Sequence, residues 1–305
     1  MESRHNRAVT PLTCDLWWGD LTATSPDRLR ALYGLLDADE RQRHAAFRVP
    51  ADKDRYALAH GLARLAVGRA AGIAPESVTF DHLRTPRQGK ADPPGRGPRG
   101  KPRPSGPAEG WEISFSHSGD RVLLAMARGV QVGADVQEVR TVRMGVDSLL
   151  GQLLHEDERG HFTRLDPRQR EADFFTYWSR KEALVKATGE GLAAATKVVV
   201  SPPGAPIAVH SWDTPNGPAP GHVQLLDVAA GDGYSASVAA LTPRPLEISV
   251  RDTADLLKGL PKARPRTGLR GGTGLGPAKT RTAPATATRR TAPASQHRPG
   301  PSATR

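Results

Sequence analysis

The last 48 residues, Lys258 to Arg305, contain no Trp, Tyr or Phe and no Asp or Glu, so the chain must build its core from what precedes them. Pro, Gly, Ala, Thr and Arg dominate this stretch, and too little apolar surface is present to offset the entropy of ordering it. A disordered basic tail is expected over 258–305. The tail also changes how charge is read. A net charge of +11 and a pI near 10.3 ordinarily point to nucleic acid or an anionic surface. Eleven of the basic residues lie in the tail, however, which leaves 32 Lys/Arg against 32 Asp/Glu in the first 257 residues. The folding part is formally neutral. A tail that binds RNA or DNA and a merely solvated extension both remain open, although no zinc-finger, homeodomain or RNA-recognition pattern supports the first.

At 305 residues the chain is long enough for one large domain or two small ones. The single cysteine, Cys14, excludes an intramolecular disulfide framework and a Cys-rich zinc site, and fits a reducing compartment. The polar N-terminus has no apolar stretch of signal-peptide length, and no run reaches the ~18 apolar residues of a membrane span. A cytoplasmic monomer is the expectation.

Leu12 to Leu21 reads as a first strand, and Thr24-Ser25-Pro26 then opens a helix through Leu36. From Pro50 to Ala71 apolar residues recur at helical spacing, with Pro50 suited to the start and Gly72 to the stop. Val78 to Leu83 is a short strand. Between Arg84 and Gly110 the density of Pro and Gly predicts loop for most of the length. Ile113 to Ser118 is a strand ending in a turn; Val122 to Ala127 and Val130 to Val136 read as strands paired across Arg128-Gly129, with Asp135 at the far end. Helices are expected over Val146 to Leu154 and Asp173 to Thr188, and strands over Lys197 to Val200, Val223 to Val228 and Tyr234 to Ala240. The fold class is mixed α/β of the α+β type. Its expected domains are an N-terminal subdomain over 1–129, a C-terminal subdomain over 130–257, and the tail.

Asp135 and Gln137 are two apart, and in a strand such residues share a face, so a hard-oxygen pair is available to one cation. Alone, Asp135 at a strand end reads more often as a turn or cap residue. Glu182 and Lys186, four apart on a helix, read alone as an ordinary ion pair of about 0.2–0.5 kcal/mol. Together with Asp135 they compose a divalent-cation and diphosphate site. Ser116 and His117, before Gly119, offer donors to phosphate oxygens, though the histidine could equally be structural. Gly100-Lys101-Pro102 would lay stiff backbone and a cation against an adenine and its phosphates. Arg43 and Arg55 add positive charge around the start of the second helix.

In order and spacing these motifs resemble the surfactin-synthetase-type (Sfp-type) 4'-phosphopantetheinyl transferases: Arg43 to Arg64, Gly100-Lys101-Pro102, Phe115-Ser116-His117-Ser118-Gly119, Gly133-Ala134-Asp135-Val136-Gln137, and Trp178 to Lys186. The resemblance implies two similar, pseudo-symmetric subdomains, each an antiparallel sheet plus helix, with the active site in the cleft between them. It makes Asp135 and Glu182, with Gln137, the ligands of Mg2+, and Glu182 and Lys186 the catalytic pair. It sets Lys186 on the diphosphate of coenzyme A, Arg43, Ser116 and His117 on its phosphates, and Gly100 to Pro102 on the adenine side, with Arg55 nearby. The implied partners are acyl or peptidyl carrier proteins of polyketide, nonribosomal-peptide or fatty-acid synthesis. Many relatives carry Glu where this chain has Gln137, which implies weaker metal binding. A non-catalytic coenzyme A-binding relative is the alternative.

Overall fold

The computed structural model describes residues 10–83, 100–142, 145–213 and 219–260. The expected tail from residue 261 onward and most of the predicted loop, 84–99, lie outside the described residues.

Strand β1 (Leu12–Asp20) leads into helix α1 (Pro26–Gly34), where the Ser25 hydroxyl accepts the Arg28 amide and Pro26 fills the first turn. Helix α2 (Ala38–Ala46), absent from the sequence expectation, starts with a reciprocal box: Asp37 accepts the Glu40 amide and the Glu40 side chain accepts the Asp37 amide. Helix α3 (Pro50–Ala71) has the predicted bounds and stops at Gly72, whose φ of 69° only glycine adopts without strain. β2 (Thr79–Leu83) pairs antiparallel with β3 (Lys101–Ser105), so the predicted loop contains a strand. Pro102 and Pro104 are tolerated because β3 has a strand partner on one side only in this two-stranded ribbon. β4 (Trp111–Ser118), β5 (Arg121–Arg128) and β6 (Val132–Glu138) follow.

Next come α4 (Asp147–Leu153), the unpredicted α5 (Glu156–Phe162), and α6 (Pro167–Thr188). α6 starts earlier than its apolar pattern suggested because the Asp166 side chain accepts the amides of Arg168 and Gln169. The chain then forms β7 (Val198–Val200), β8 (Val209–Trp212), β9 (Gln224–Asp227), β10 (Tyr234–Ala240), β11 (Leu246–Arg251) and α7 (Thr253–Leu257). The class is mixed α/β with mostly antiparallel pairing, as expected.

One sheet has the order β11-β1-β5-β4 and another β6-β10-β9. The expected pairing of β5 with β6 across Arg128-Gly129 therefore does not form: β5 pairs with β4 and β1, β6 with β10. Asp135 is not at a strand end but in the middle of β6, opposite Ser237. β11 runs parallel to β1, so residues 246–251, expected in the C-terminal half, complete the first sheet. α7 follows them, and its Leu256 and Leu257 join the same core.

Alternation along the strands sorts side chains into three cores. Trp17, Leu124 and Met126 meet Leu58 and Leu62 of α3 in one cluster. Phe174, Tyr177 and Leu184 of α6 anchor a second. Leu16 and Leu123 of the first sheet and Ala134, Val136 and Val238 of the second share the third, which ties the two sheets together. Among the described residues no helix is long and apolar enough to cross a membrane.

Helix α6 lies unusually close to β6. A Cβ on Gly133 would overlap the Ala183 carbonyl oxygen and stand 2.5 Å from the Ala187 nitrogen, both backbone atoms that cannot swing aside. We therefore expect Gly133→Ala to destabilise the protein by about 1–3 kcal/mol, the usual size for forced overpacking. Gly151→Ala, on an open surface of α4, should instead stabilise slightly. Thermal unfolding of the two variants checks the contrast; equal melting temperatures would remove the argument for close approach.

Candidate active site

With Ala134 and Val136 directed into the shared core, alternation turns Gly133, Asp135 and Gln137 toward α6. Asp135 is 1% exposed, yet both its oxygens are partnered. Oδ1 accepts from the Ser116 hydroxyl at 2.6 Å and from Lys186 Nζ at 2.6 Å; Oδ2 accepts from Gln137 Nε2 at 2.8 Å. Lys186 also donates to the Ala134 carbonyl. The structure thus brings Ser116, Asp135, Gln137 and Lys186 into one contiguous network.

Glu182 comes to the same place on α6. Rather than pairing with Lys186 along the helix, it keeps a buried Oε1 that has no hydrogen-bond partner among the described residues. Burial raises its carboxyl above the ordinary range; the charge of Lys186 opposes this and that of Asp135 adds to it. The two carboxylates are therefore close enough to feel one another. Among the described residues no group of three or more His, Cys, Asp or Glu converges, so the protein itself offers two carboxylates and an amide. That donor set, with an orphaned buried carboxylate oxygen, fits a hard divalent cation that keeps water or substrate oxygens as its remaining ligands.

The neighbouring strand β4 presents serines at every second position. Ser114 Oγ accepts the Ala134 amide, Ser116 donates to Asp135, and Ser118 Oγ accepts the Glu138 amide. His117 points to the other side of β4, toward α3. It lines a polar cleft with Asp52, Arg55, Gly119, Glu138 and Arg140. Surrounding protein first, then the charges of Lys186 and Arg55, push its imidazole down to about 4. The ring is exposed at the cleft mouth, so the two cations are the firmer cause, and His117 is neutral at physiological pH. Arg55 is fixed by Asp52 and by the Gly119 carbonyl, each at 2.5 Å.

Of the predicted residues, Gly100, Lys101 and Pro102 stand apart from this network. Arg43 is exposed on α2, and its charge is a minor cause, behind burial, of the lowered His60 imidazole. Gly100, at φ 130°, leads into β3, where Pro102 pairs with His82. Lys101 is buried; its Nζ donates to the Val132 and Ala187 carbonyls at 2.9 and 3.3 Å and lies 3.3 Å from Glu112. Its ammonium satisfies a last-turn carbonyl of α6 and is not turned to a ligand. Sequence reasoning counted Ser114 and Ser118 among the hydroxyls suited to phosphate, not as the acceptors of backbone amides they are, and it passed over Glu138 and Asp52. The period-two serines were visible in Ser114-Phe115-Ser116-His117-Ser118; the others had no local signal.

A buried and a partly buried carboxylate beside a lysine, next to a cleft lined by Arg55 and Arg140, compose the kind of site that handles a metal-bound diphosphate. Residues 131–238, which carry β6, α6 and most of β10, match the family model of the 4'-phosphopantetheinyl transferase superfamily. The 4'-phosphopantetheinyl transferase HetI of Nostoc sp. is 28% identical over 176 residues, 57% of this chain and 68% of the relative. The 4'-phosphopantetheinyl transferase AcpT of Salmonella typhimurium is 36% identical over 93 residues, covering 30% of this chain and 47% of its own. The 4'-phosphopantetheinyl transferase psf-1 of Bacillus pumilus is 31% identical over 83 residues, 27% of this chain and 34% of the relative.

Because the Glu182 carboxyl is raised in the fold, the folded state holds a proton that the unfolded chain releases between the ordinary carboxylate pKa and the raised one. Stability from this group is present below that window and is lost as pH rises through it. Glu182→Gln should therefore melt higher than the parent near pH 7, by a few degrees, and the gap should close toward pH 4. Calorimetry across that range checks it; a gap independent of pH would mean that Glu182 is ionised without penalty.

Proposed function

We propose that the protein is a 4'-phosphopantetheinyl transferase of the surfactin-synthetase type, moving the phosphopantetheine arm of coenzyme A onto a serine of an acyl or peptidyl carrier protein. The observation that carries this reading is the joining of Asp135, Lys186 and Glu182, whose Oε1 has no partner among the described residues, at the α6–β6 contact, inside the segment that matches the superfamily. The protein is a transferase, and coenzyme A is its substrate. The two subdomains on this reading are residues 12–129 with β11 and α7, and residues 130–241.

The serine oxygen attacks the β-phosphorus of coenzyme A; the bond from that phosphorus to the bridging oxygen breaks, and 3',5'-ADP departs with the electron pair. The serine must give up its proton. Glu182, whose raised carboxyl lies nearer the working pH than an ordinary glutamate, accepts it. Lys186 sets its positive charge against the diphosphate as negative charge develops on the leaving phosphate. Asp135 and Glu182 would hold Mg2+, with Gln137 at the side; a bound Mg2+ supplies charge neutralisation for the diphosphate. Neutral His117, with Arg55 beside it, donates to phosphate oxygens at the cleft mouth, and Arg43 extends the positive border. Ser116 enters as the residue that orients Asp135. Lys101, bonded to the end of α6, acts on this reading as a strut, and Gly100 and Pro102 shape the approach.

The test is intact-mass analysis of apo carrier proteins from polyketide, nonribosomal-peptide and fatty-acid systems incubated with coenzyme A and Mg2+. One phosphopantetheine of added mass is expected on at least one class, and no addition on any would overturn the proposal. Asp135→Ala should lower kcat by on the order of a hundredfold or more; near-normal turnover at saturating Mg2+ would exclude the ligand role.

A further inference from the structure

β4 and β5 are joined by a two-residue hairpin loop, Gly119-Asp120, because Ser118 pairs with Arg121. Gly119 has φ 53°, which suits the tight loop and disfavours other residues. Three of the loop's backbone groups are taken by three different parts of the molecule. Arg55 Nε of α3 donates to the Gly119 carbonyl at 2.5 Å. The Leu21 amide donates to the Asp120 carbonyl at 2.9 Å. The Asp120 amide donates to the Tyr234 hydroxyl at 3.0 Å.

Tyr234 opens β10, opposite Glu138 of β6, so it belongs to the sheet that carries Asp135. The loop it holds belongs to the other sheet, which carries His117. A Cβ on Gly119 would overlap the Tyr234 hydroxyl and press on the Glu138 carboxylate, which leaves the loop no slack in that direction. The Tyr234 ring itself is held by the Arg121 guanidinium, 5.9 Å above it.

We propose that Tyr234 is a positioning residue: its hydroxyl sets the Gly119-Asp120 loop and, through it, the placement of His117 and Arg55 relative to Asp135 and Lys186. The inference rests on the reading of that cleft as the phosphate site for coenzyme A. What argues for positioning over filling is where the contact lies. The bond from Asp120 to Tyr234 is exposed, and an exposed hydrogen bond adds little net stability. Its removal should therefore show as a misplaced loop more than as a weaker fold.

Tyr234→Phe keeps the ring and the arginine above it and removes only the hydroxyl. The KM for coenzyme A should rise about fivefold, with kcat changed less than twofold, the melting temperature within about 2 °C of the parent, and the His117 ring resonances shifted in the free protein. Gly119→Ala should raise KM further, yet its added effect should shrink in the Tyr234→Phe background, because the atom it strikes is gone; contacting residues couple in this way. A Tyr234→Phe protein with parental KM and unmoved His117 resonances would overturn the proposal, as would a lowered melting temperature with KM unchanged. If the parent protein modifies no carrier, the functional reading fails by itself, and the His117 resonances still decide whether Tyr234 positions the loop.

Discussion

The site exists because a helix backbone can touch a strand backbone at Gly133. Any side chain there would hold α6 away from β6, and the side chains that meet across this contact, Asp135 from the strand with Glu182 and Lys186 from the helix, would lose their common ground. Other bonds keep the helix at this distance. Lys101 ties the Ala187 carbonyl of α6 to the Val132 carbonyl at the start of β6, and Ser179 bonds Ser237 of β10 at 3.0 Å. Away from the site, fully buried Lys181 meets Glu158 of α5 at 2.5 Å and donates to the Ala195 and Val198 carbonyls. Consecutive residues 181 and 182 thus do opposite things. One fastens α6 to α5 before it and to the chain after it, and the other, among the described residues, keeps its Oε1 without a hydrogen-bond partner.

Such a carboxylate is tolerated, not stabilising. Two acids held together away from water favour protonating one of them, and the raised Glu182 carboxyl expresses that tension. Lys186 relieves only part of it, because its ammonium bonds Asp135. Among the described residues, the oxygen that internal hydrogen bonds leave over is Glu182 Oε1, since both oxygens of Asp135 accept from Ser116, Lys186 and Gln137. At the cleft mouth, burial and then the charges of Lys186 and Arg55 lower the His117 imidazole, and the lining carries Arg55 and Arg140 alongside Asp52 and Glu138.

The two sheets meet in two ways. Apolar side chains from both share one core, and along its border β4 and β6 are joined by hydroxyls of Ser114, Ser116 and Ser118, not by a backbone ladder. This seam lets one sheet bring His117 and the other Asp135 to neighbouring places while each keeps its own pairing. β11 returns from the second half of the chain to lie beside β1, which fastens the ends of the fold together.

The sequence by itself determined the elements whose signals are local: α3 with its proline start and glycine stop, β4, β10, and the apolar stripe of α6. It also determined that Asp135 and Gln137 share a face and that Glu182 and Lys186 lie one turn apart, since strand and helix periods are properties of the backbone. Capping residues marked α2 and α5 as well, in Asp37 with Glu40 and His155 with Glu158, although their weak apolar patterns hid them. Only the tertiary structure decided that β5 and β6 part into different sheets, that Lys186 reaches across to Asp135 and not along its helix to Glu182, that Lys101 is a strut, and that Tyr234 meets Asp120 from 114 residues away. Those outcomes depend on which surfaces pack against which, and no window of neighbouring residues contains that information.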